Sequence, residues 1–250
     1  MICYEYPLSE RVRTLLRLED MFDKVRYFAA QEDNQQHHAA LLALFEILEV
    51  ASRADLKSDL LQELERQRHG LELLRSNPAI SEQRLNQVLD EIARCMANIH
   101  DIPGKLGQHL RDNEWLMAIK QRTNIPGGAC EFDLPAYHYW LHQPMAHRQA
   151  DMDEWFTPML PIYDGLSVVL KLLRESGQPT HHIAYAGAYQ QMLAGKTAQM
   201  LRIRLRRELP CAPEISANKY ALNIRFMAFG KSRPHLCNSD VEFELTFCNL

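Results

Sequence analysis

The sequence predicts an α+β protein: an N-terminal, mostly α-helical part followed by a C-terminal antiparallel β part, joined by the N-terminal strand. Two observations carry this. Apolar residues recur every three or four positions from Leu8 to Leu173, and every second position from about His182 to Phe247. The change falls at Gly177-Gln178-Pro179, residues that interrupt either period. The expected domains are residues 7–177, helical, and 178–250, β, with residues 2–6 as an added strand. At 250 residues each part can bury a core of its own.

Ile2 to Tyr6 is short, aromatic and alternating, and reads as a strand ended by Pro7. Ser9 is a helix cap, and Leu8, Val12, Leu15, Phe22 and Val25 form the buried stripe that follows. Arg13, Arg17, Asp20 and Lys24 make a second stripe: a solvated face screened by Asp20, or a face for an acidic partner. Gln31 to Gln36 is turn-like. Ala39 to Ala51 is apolar nearly all round and reads as a central helix. Asp55 starts a long helix reaching about Arg75, with Leu56, Leu60, Leu64, Leu71 and Leu74 as its apolar line. Asn77-Pro78 and the cap Ser81 favour a hairpin over a dimer-forming coil, because an amphipathic helix with Leu85, Val88, Leu89, Ile92 and Met96 follows at once. After Asp101-Ile102-Pro103-Gly104, Gly107 to Arg122 reads as two short helices or one bent one. Trp155, Met159, Ile162, Leu166, Val169 and Leu173 form a last helical stripe.

In the β part, His182 to Tyr189 is a weak strand, and His181 and His182 point to opposite faces. Gln199 to Arg207 alternates clearly, with Leu201, Ile203 and Leu205 opposite Arg202, Arg204 and Arg206. Tyr220 to Phe229 sets Leu222, Ile224 and Phe226 opposite Arg225 and Met227. The final strand buries Val241, Phe243, Leu245 and Phe247 and leaves Glu242 and Glu244 outside.

The densest chemistry lies between the two periodic regions, in Ile125 to Pro144, IPGGACEFDLPAYHYWLHQP. Pro126-Gly127 is a type II turn signal, since proline presets φ and glycine tolerates φ > 0. Cys130 to Asp133 alternates like a short strand. Pro135 then fits the first helical position, beside Asp133 at the positive helix end. On that helix His138 and His142 share a face. Three readings compete. A zinc hydrolase would use His138 and His142 with His147, but Tyr139 stands where the metalloprotease motif needs a glutamate. A Cys130 nucleophile with His138 as base has no recognised local pattern around it. A packed junction with Tyr137 and Trp140 inside is the third, and leads on chemistry alone. No metal, cofactor or catalytic set is assigned.

The whole chain carries −4, yet residues 196–235 hold Lys196, Arg202, Arg204, Arg206, Arg207, Lys219, Arg225, Lys231 and Arg233 against Glu208 and Glu214. That region is +7 and the remainder −11. Pairing of the arginine ladder with Glu242 and Glu244 would absorb part of the charge. Nucleic-acid binding usually adds exposed aromatics to such a surface. Tyr220, Phe226, Phe229 and Phe243 read as mostly core-facing, so a nucleic-acid-binding regulator ranks below a protein partner. Six scattered cysteines without framework spacing fit a reducing compartment. The first residues lack a secretory pattern, and the longest apolar runs are short, so neither export nor a membrane span is expected.

The block from Ile125 resembles the signature region of the bacterial cell division protein ZapD family, IPGG-x-C-x-FDLP-x-x-H-x-WLH. The likeness includes Tyr6-Pro7-Leu8, Arg13-Thr14, Leu16-Arg17-Leu18-Glu19, Gly107 to Asp112 and Gln121-Arg122. It returns in Pro213 to Ser216, Lys219 and Ile224 to Met227, and is weakest at about residues 30–100 and 176–200. The resemblance implies a cytoplasmic homodimer at the division site. It also implies binding to the tubulin-like division GTPase FtsZ through its C-terminal tail, and bundling of its protofilaments. The residues matching the family's motifs that would form the basic tail-binding surface are Arg13, Arg17, Arg111, Arg122, His138, Lys219 and Arg225. Glu114 stands where the family pattern can carry a second arginine, and is left out of that set.

Overall fold

The computed structural model describes residues 1–53, 55–193, 197–230 and 233–249. Lys196 and Lys231, counted above among the basic residues, lie outside the described residues. The fold is α+β, and the chain divides into two compact units, residues 15–169 and residues 1–14 with 170–250.

In the first unit the helices follow the apolar periods. Helix α1 (Glu10–Ala29) buries Leu15, Leu18, Phe22 and Val25. Helix α2 (Asn34–Arg53) buries Leu41, Leu44, Ile47 and Leu48. It begins inside the expected turn because Asp33 accepts hydrogen bonds from the Gln35 and Gln36 N–H groups, capping it one turn early. Asp55 caps α3 (Leu56–Glu72) through the Ser58 N–H, and Ser81 caps α4 (Glu82–His100). These two pack as a hairpin. The apolar line of α3 ends early: Leu73–Ser76 is a 3-10 turn, with Leu73 and Leu74 exposed. Of the two alternatives for this stretch, two short helices form: α5 (Gln108–Arg111) and α6 (Glu114–Thr123). Then come α7 (Pro135–Leu141), α8 (Met145–Phe156), a 3-10 turn (Thr157–Met159) and α9 (Leu160–Glu175). Residues Met145–Glu175 make a run long and apolar enough to cross a membrane by length and composition, against the sequence expectation. Its stripe of Met159, Ile162, Leu166 and Val169 is buried, as in a core helix.

The second unit holds two four-stranded antiparallel sheets. One runs β1 (Ile2–Pro7), β4 (Met200–Leu205), β8 (Val241–Cys248), β2 (Thr180–Ala184). The other runs β3 (Ala188–Met192), β6 (Ala221–Ala228), β5 (Cys211–Ala217), with β7 (His235–Leu236) also on β6. The N-terminal strand joins as expected, Tyr4 opposite Ile203. Leu201, Ile203, Leu205, Leu222, Ile224, Phe226, Val241, Phe243 and Leu245 form its core.

Several local expectations are corrected. Cys130 to Asp133 is not a strand: the Asp133 and Leu134 N–H groups both donate to the Cys130 carbonyl, at 3.1 and 3.0 Å, folding the segment into turns. His182 to Tyr189 is not one strand. Ala186 (φ 47°) and Gly187 (φ 75°) turn the chain between β2 and β3, which join different sheets. Strand β5 lacked a clear alternation because Pro213 interrupts it, which an edge strand tolerates. Met227 is buried rather than outward, since β7 pairs beside it. Of the aromatics read as core-facing, Phe226 and Phe243 are buried, but Tyr220 and Phe229 are more than 60% exposed.

Candidate functional site

The segment from Ile125 is built from its turn outward. The Gly128 N–H donates to the Ile125 carbonyl at 2.8 Å, and Gly127 has φ 72°, so Pro126-Gly127 occupies the two central positions of the expected type II turn. A side chain at Gly128 would place its Cβ 2.3 Å from the Arg122 carbonyl oxygen. Pro135 opens α7, whose inner face is Tyr137, Trp140 and Leu141. Tyr137 stacks on Trp140 with centroids 5.9 Å apart, and Trp115 and Trp155 each lie within 6 Å of Trp140. The Trp140 indole donates to Asp151 at 2.8 Å, and the Tyr137 hydroxyl is 2.7 Å from His38 Nδ1. Burial pushes the Tyr137 hydroxyl well above its ordinary pKa and pulls His38 below its own.

One residue that the sequence reading missed holds this segment in place. Arg148, buried on α8, donates to the carbonyls of Leu141, Gln143 and Glu32 and, through Nε, to His37 Nδ1 at 2.8 Å. It thereby satisfies carbonyls at the end of α7 that the helix itself leaves without donors. His37 Nε2 lies 2.7 Å from the Gln31 carbonyl and must carry the proton, leaving Nδ1 to accept from Arg148. Burial first, then the adjacent guanidinium, holds the His37 pKa down. Only its place one turn into the next helix, with no neighbouring motif, marks Arg148 in the sequence.

The seven residues selected from the sequence are divided between the units. In the helical unit, Arg17 is exposed on α1 and forms no ion pair among the described residues, since Asp20 binds Lys24 instead. Arg111 directs its guanidinium to the carbonyls of Leu106 (2.6 Å) and Leu48 (3.3 Å), bracing α5 against α2. Arg122 lies 3.4 Å from Asp133, linking α6 to the turn before α7. His138 is exposed on α7, its ring centroid 4.3 Å from that of His142, whose Nδ1 donates to the His138 carbonyl. Glu114 opens α6, where an acid meets the positive helix end.

In the β unit, Arg13 pairs with Glu10 at 3.1 Å. Lys219 sits 4.7 Å over the Tyr220 ring, in a turn closed by the Asn218 side chain accepting from the Tyr220 and Ala221 N–H groups. Arg225 is exposed at the middle of β6, in register with Glu214 on β5 but without an ion pair among the described residues. The arginine ladder is neutralised more fully than the sequence reading allowed. Arg204 pairs with Glu244 (3.0 Å) and Arg206 with Glu242 (2.7 Å), while Arg202 meets Glu5 (3.1 Å), which also binds Arg174. Glu5 was overlooked as a partner, although pairing β1 with β4 sets it directly opposite Arg202. Arg207, Lys219, Arg225 and Arg233 remain without ion pairs among the described residues.

Neither enzymatic arrangement considered earlier is assembled. His147 points to Asp151 at 3.5 Å, and among the described residues no three His, Cys, Asp or Glu side chains are grouped to hold a metal ion. Cys130 and His138 line one cleft of about 300 Å³, with no hydrogen bond joining them among the described residues. All six cysteines are free, and burial holds the Cys248 thiol up at about 11.

Fold and site define a class: an α+β protein that carries basic and aromatic side chains on ordered surface elements. A family model described as "ZapD: Cell division protein" matches residues 16–225. A protein named Cell division protein ZapD from Azoarcus sp. is 57% identical, with 100% of both chains covered. Proteins of the same name from Aromatoleum aromaticum (55% identical, 98% of the relative) and Nitrosomonas europaea (54%, 96% of the relative) also match the whole of this chain. The chain belongs to the ZapD family of cell division proteins.

Proposed function

We propose that this protein is a non-enzymatic division factor that binds the C-terminal tail of FtsZ and, as a homodimer, cross-links FtsZ protofilaments into bundles. It would act in the cytoplasm at mid-cell, stabilise the Z-ring and lower FtsZ GTPase turnover. Family membership over the full length of the chain is the observation that carries this reading. The surface supports it: Arg17 and Arg225, both from family motifs, are exposed and form no ion pairs among the described residues, so each can meet a carboxylate without first breaking a bond. The helical part (7–177) and the β part (178–250 with 2–6) would each contribute cations. Arg13 and Arg122 share internal carboxylates on exposed surfaces, where such pairs are weak and exchangeable. Arg111 would act by fixing α5. His138 offers a hydrogen bond or a ring face, and Lys219 a charge steadied on Tyr220. Two identical sites on a dimer convert a weak tail contact into avidity along a polymer.

Pelleting of GTP-assembled FtsZ with the purified protein tests this. The wild type is expected in the pellet, and Arg17→Glu and Arg225→Glu are expected to abolish co-sedimentation while fold and dimer persist. Normal bundling by both variants would rule out the basic surface. The exposed Tyr220 and Phe229 of the β unit, with Lys219 over the Tyr220 ring, favour nucleic acid as a second reading. It requires retention on DNA that falls steeply with salt, and the first reading predicts none.

A further inference from the structure

His138 and His142 stand four residues apart at the end of α7, and their ring centroids are 4.3 Å apart. The other ring pairs among the described residues lie 5.0–6.1 Å apart. Both histidines are exposed, so no core packing presses them together. Their hydrogen bonds leave nitrogen lone pairs available. The His138 carbonyl can only accept, so His142 carries its proton on Nδ1, 2.8 Å away, and its Nε2 keeps a lone pair. A backbone carbonyl on the far nitrogen is the arrangement that fixes the tautomer and aim of a metal-ligating histidine. No hydrogen bond among the described residues occupies the ring nitrogens of His138. The two rings line a cleft of about 300 Å³ with His38, Cys130 and Glu131, and no lysine or arginine among the described residues lines it. A metal ion reaching the pair therefore meets donor atoms and no fixed positive charge in the cleft.

We propose that His138 and His142 form a two-point chelate for a divalent transition-metal ion of the zinc class. Two imidazoles sharing one tetrahedral zinc hold their nitrogens ~3.3 Å apart, given Zn–N distances of about 2.0–2.1 Å. Rings already in contact reach that spacing by side-chain rotation alone. Imidazole suits zinc, copper and nickel, whereas magnesium and calcium take oxygen ligands. The pair is not a closed structural site: among the described residues no three His, Cys, Asp or Glu side chains are grouped to hold a metal ion, so water fills the remaining positions. Nor is it a hydrolytic one, because Tyr139 follows His138 where the metalloprotease helix has its general base. The inference stands apart from the tail-binding reading, and its test contains no FtsZ.

Isothermal titration of the full-length protein with zinc chloride, in buffer without chelator, provides that test. One zinc ion per chain is expected. His138→Ala and His142→Ala should each weaken binding roughly tenfold or more, at least the loss that follows removal of a ligand's supporting partner. Both side chains are exposed, so circular dichroism should show the variants folded like the wild type. His147→Ala, which removes the next histidine along the chain, should bind zinc as the wild type does. In NMR spectra, substoichiometric copper(II) should broaden the ring protons of His138 and His142 before those of the exposed His69, His100, His147 and His181. No zinc binding by the wild type, or wild-type affinity in either single variant, would overturn the proposal. Equal broadening of all exposed histidines would show an adventitious ion only, and would overturn it as well.

Discussion

The pair His37 and Arg148 shows how one protonation state is built into the helical unit. His37 accepts from the Arg148 Nε–H and donates to the Gln31 carbonyl, so a second ring proton would face a guanidinium. Burial and that guanidinium lower its pKa, and burial lowers that of His38 beside Tyr137. An unfolded chain returns both to about 6.5. Below that pH the unfolded state binds more protons than the native one, so stability is full above 6.5 and is lost as pH falls through the depressed native values. Thermal unfolding should therefore show a Tm that drops between pH 7.5 and 5.5, and a His37→Gln/His38→Gln variant should show a shallower drop. Parallel profiles for the two proteins would remove these histidines from the account.

At the scale of elements, the turn before α7 depends on two glycines with different duties. Gly127 supplies the positive φ, and Gly128 the space beside the Arg122 carbonyl. Gly128→Ala should lower stability by about 1–3 kcal/mol through overpacking. Gly70→Ala, inside α3 with nothing within 4 Å of its Cβ, should raise stability by about 0.5–1 kcal/mol. Differential scanning calorimetry of the two variants checks the opposite signs. The type II turn, the Pro135 helix start and the caps Ser9, Asp55 and Ser81 were legible because each depends on residues within four positions. The same holds for β4, β6 and β8, whose alternation is regular. What failed was set elsewhere in the chain or by backbone sign. The split of β2 from β3 needs Ala186 at positive φ, strand β5 hides behind Pro213, and Met227 is covered by β7. For the candidate site, residue types and motif positions were readable. The partners were not: Glu5 for Arg202, Asp133 for Arg122 and the carbonyls for Arg111 become neighbours only in the fold.

For the whole molecule, an excess of negative charge coexists with cations kept available on both compact units. The ladder arginines are matched by carboxylates from β1 and β8, which leaves Arg207, Lys219, Arg225 and Arg233 in the β unit and Arg17 in the helical unit without ion pairs among the described residues. In the function proposed above, valency would carry the effect, because one exposed-charge contact is weak and screened by salt, whereas paired sites along a polymer are not easily released together. The most direct measurement is light scattering from GTP-assembled FtsZ during addition of this protein, using full-length FtsZ and FtsZ lacking its C-terminal tail. Scattering is expected to rise with full-length FtsZ, saturating near one site per tail, and not to rise with the truncated polymer. An equal rise with tail-less FtsZ, or no rise with either, would contradict it.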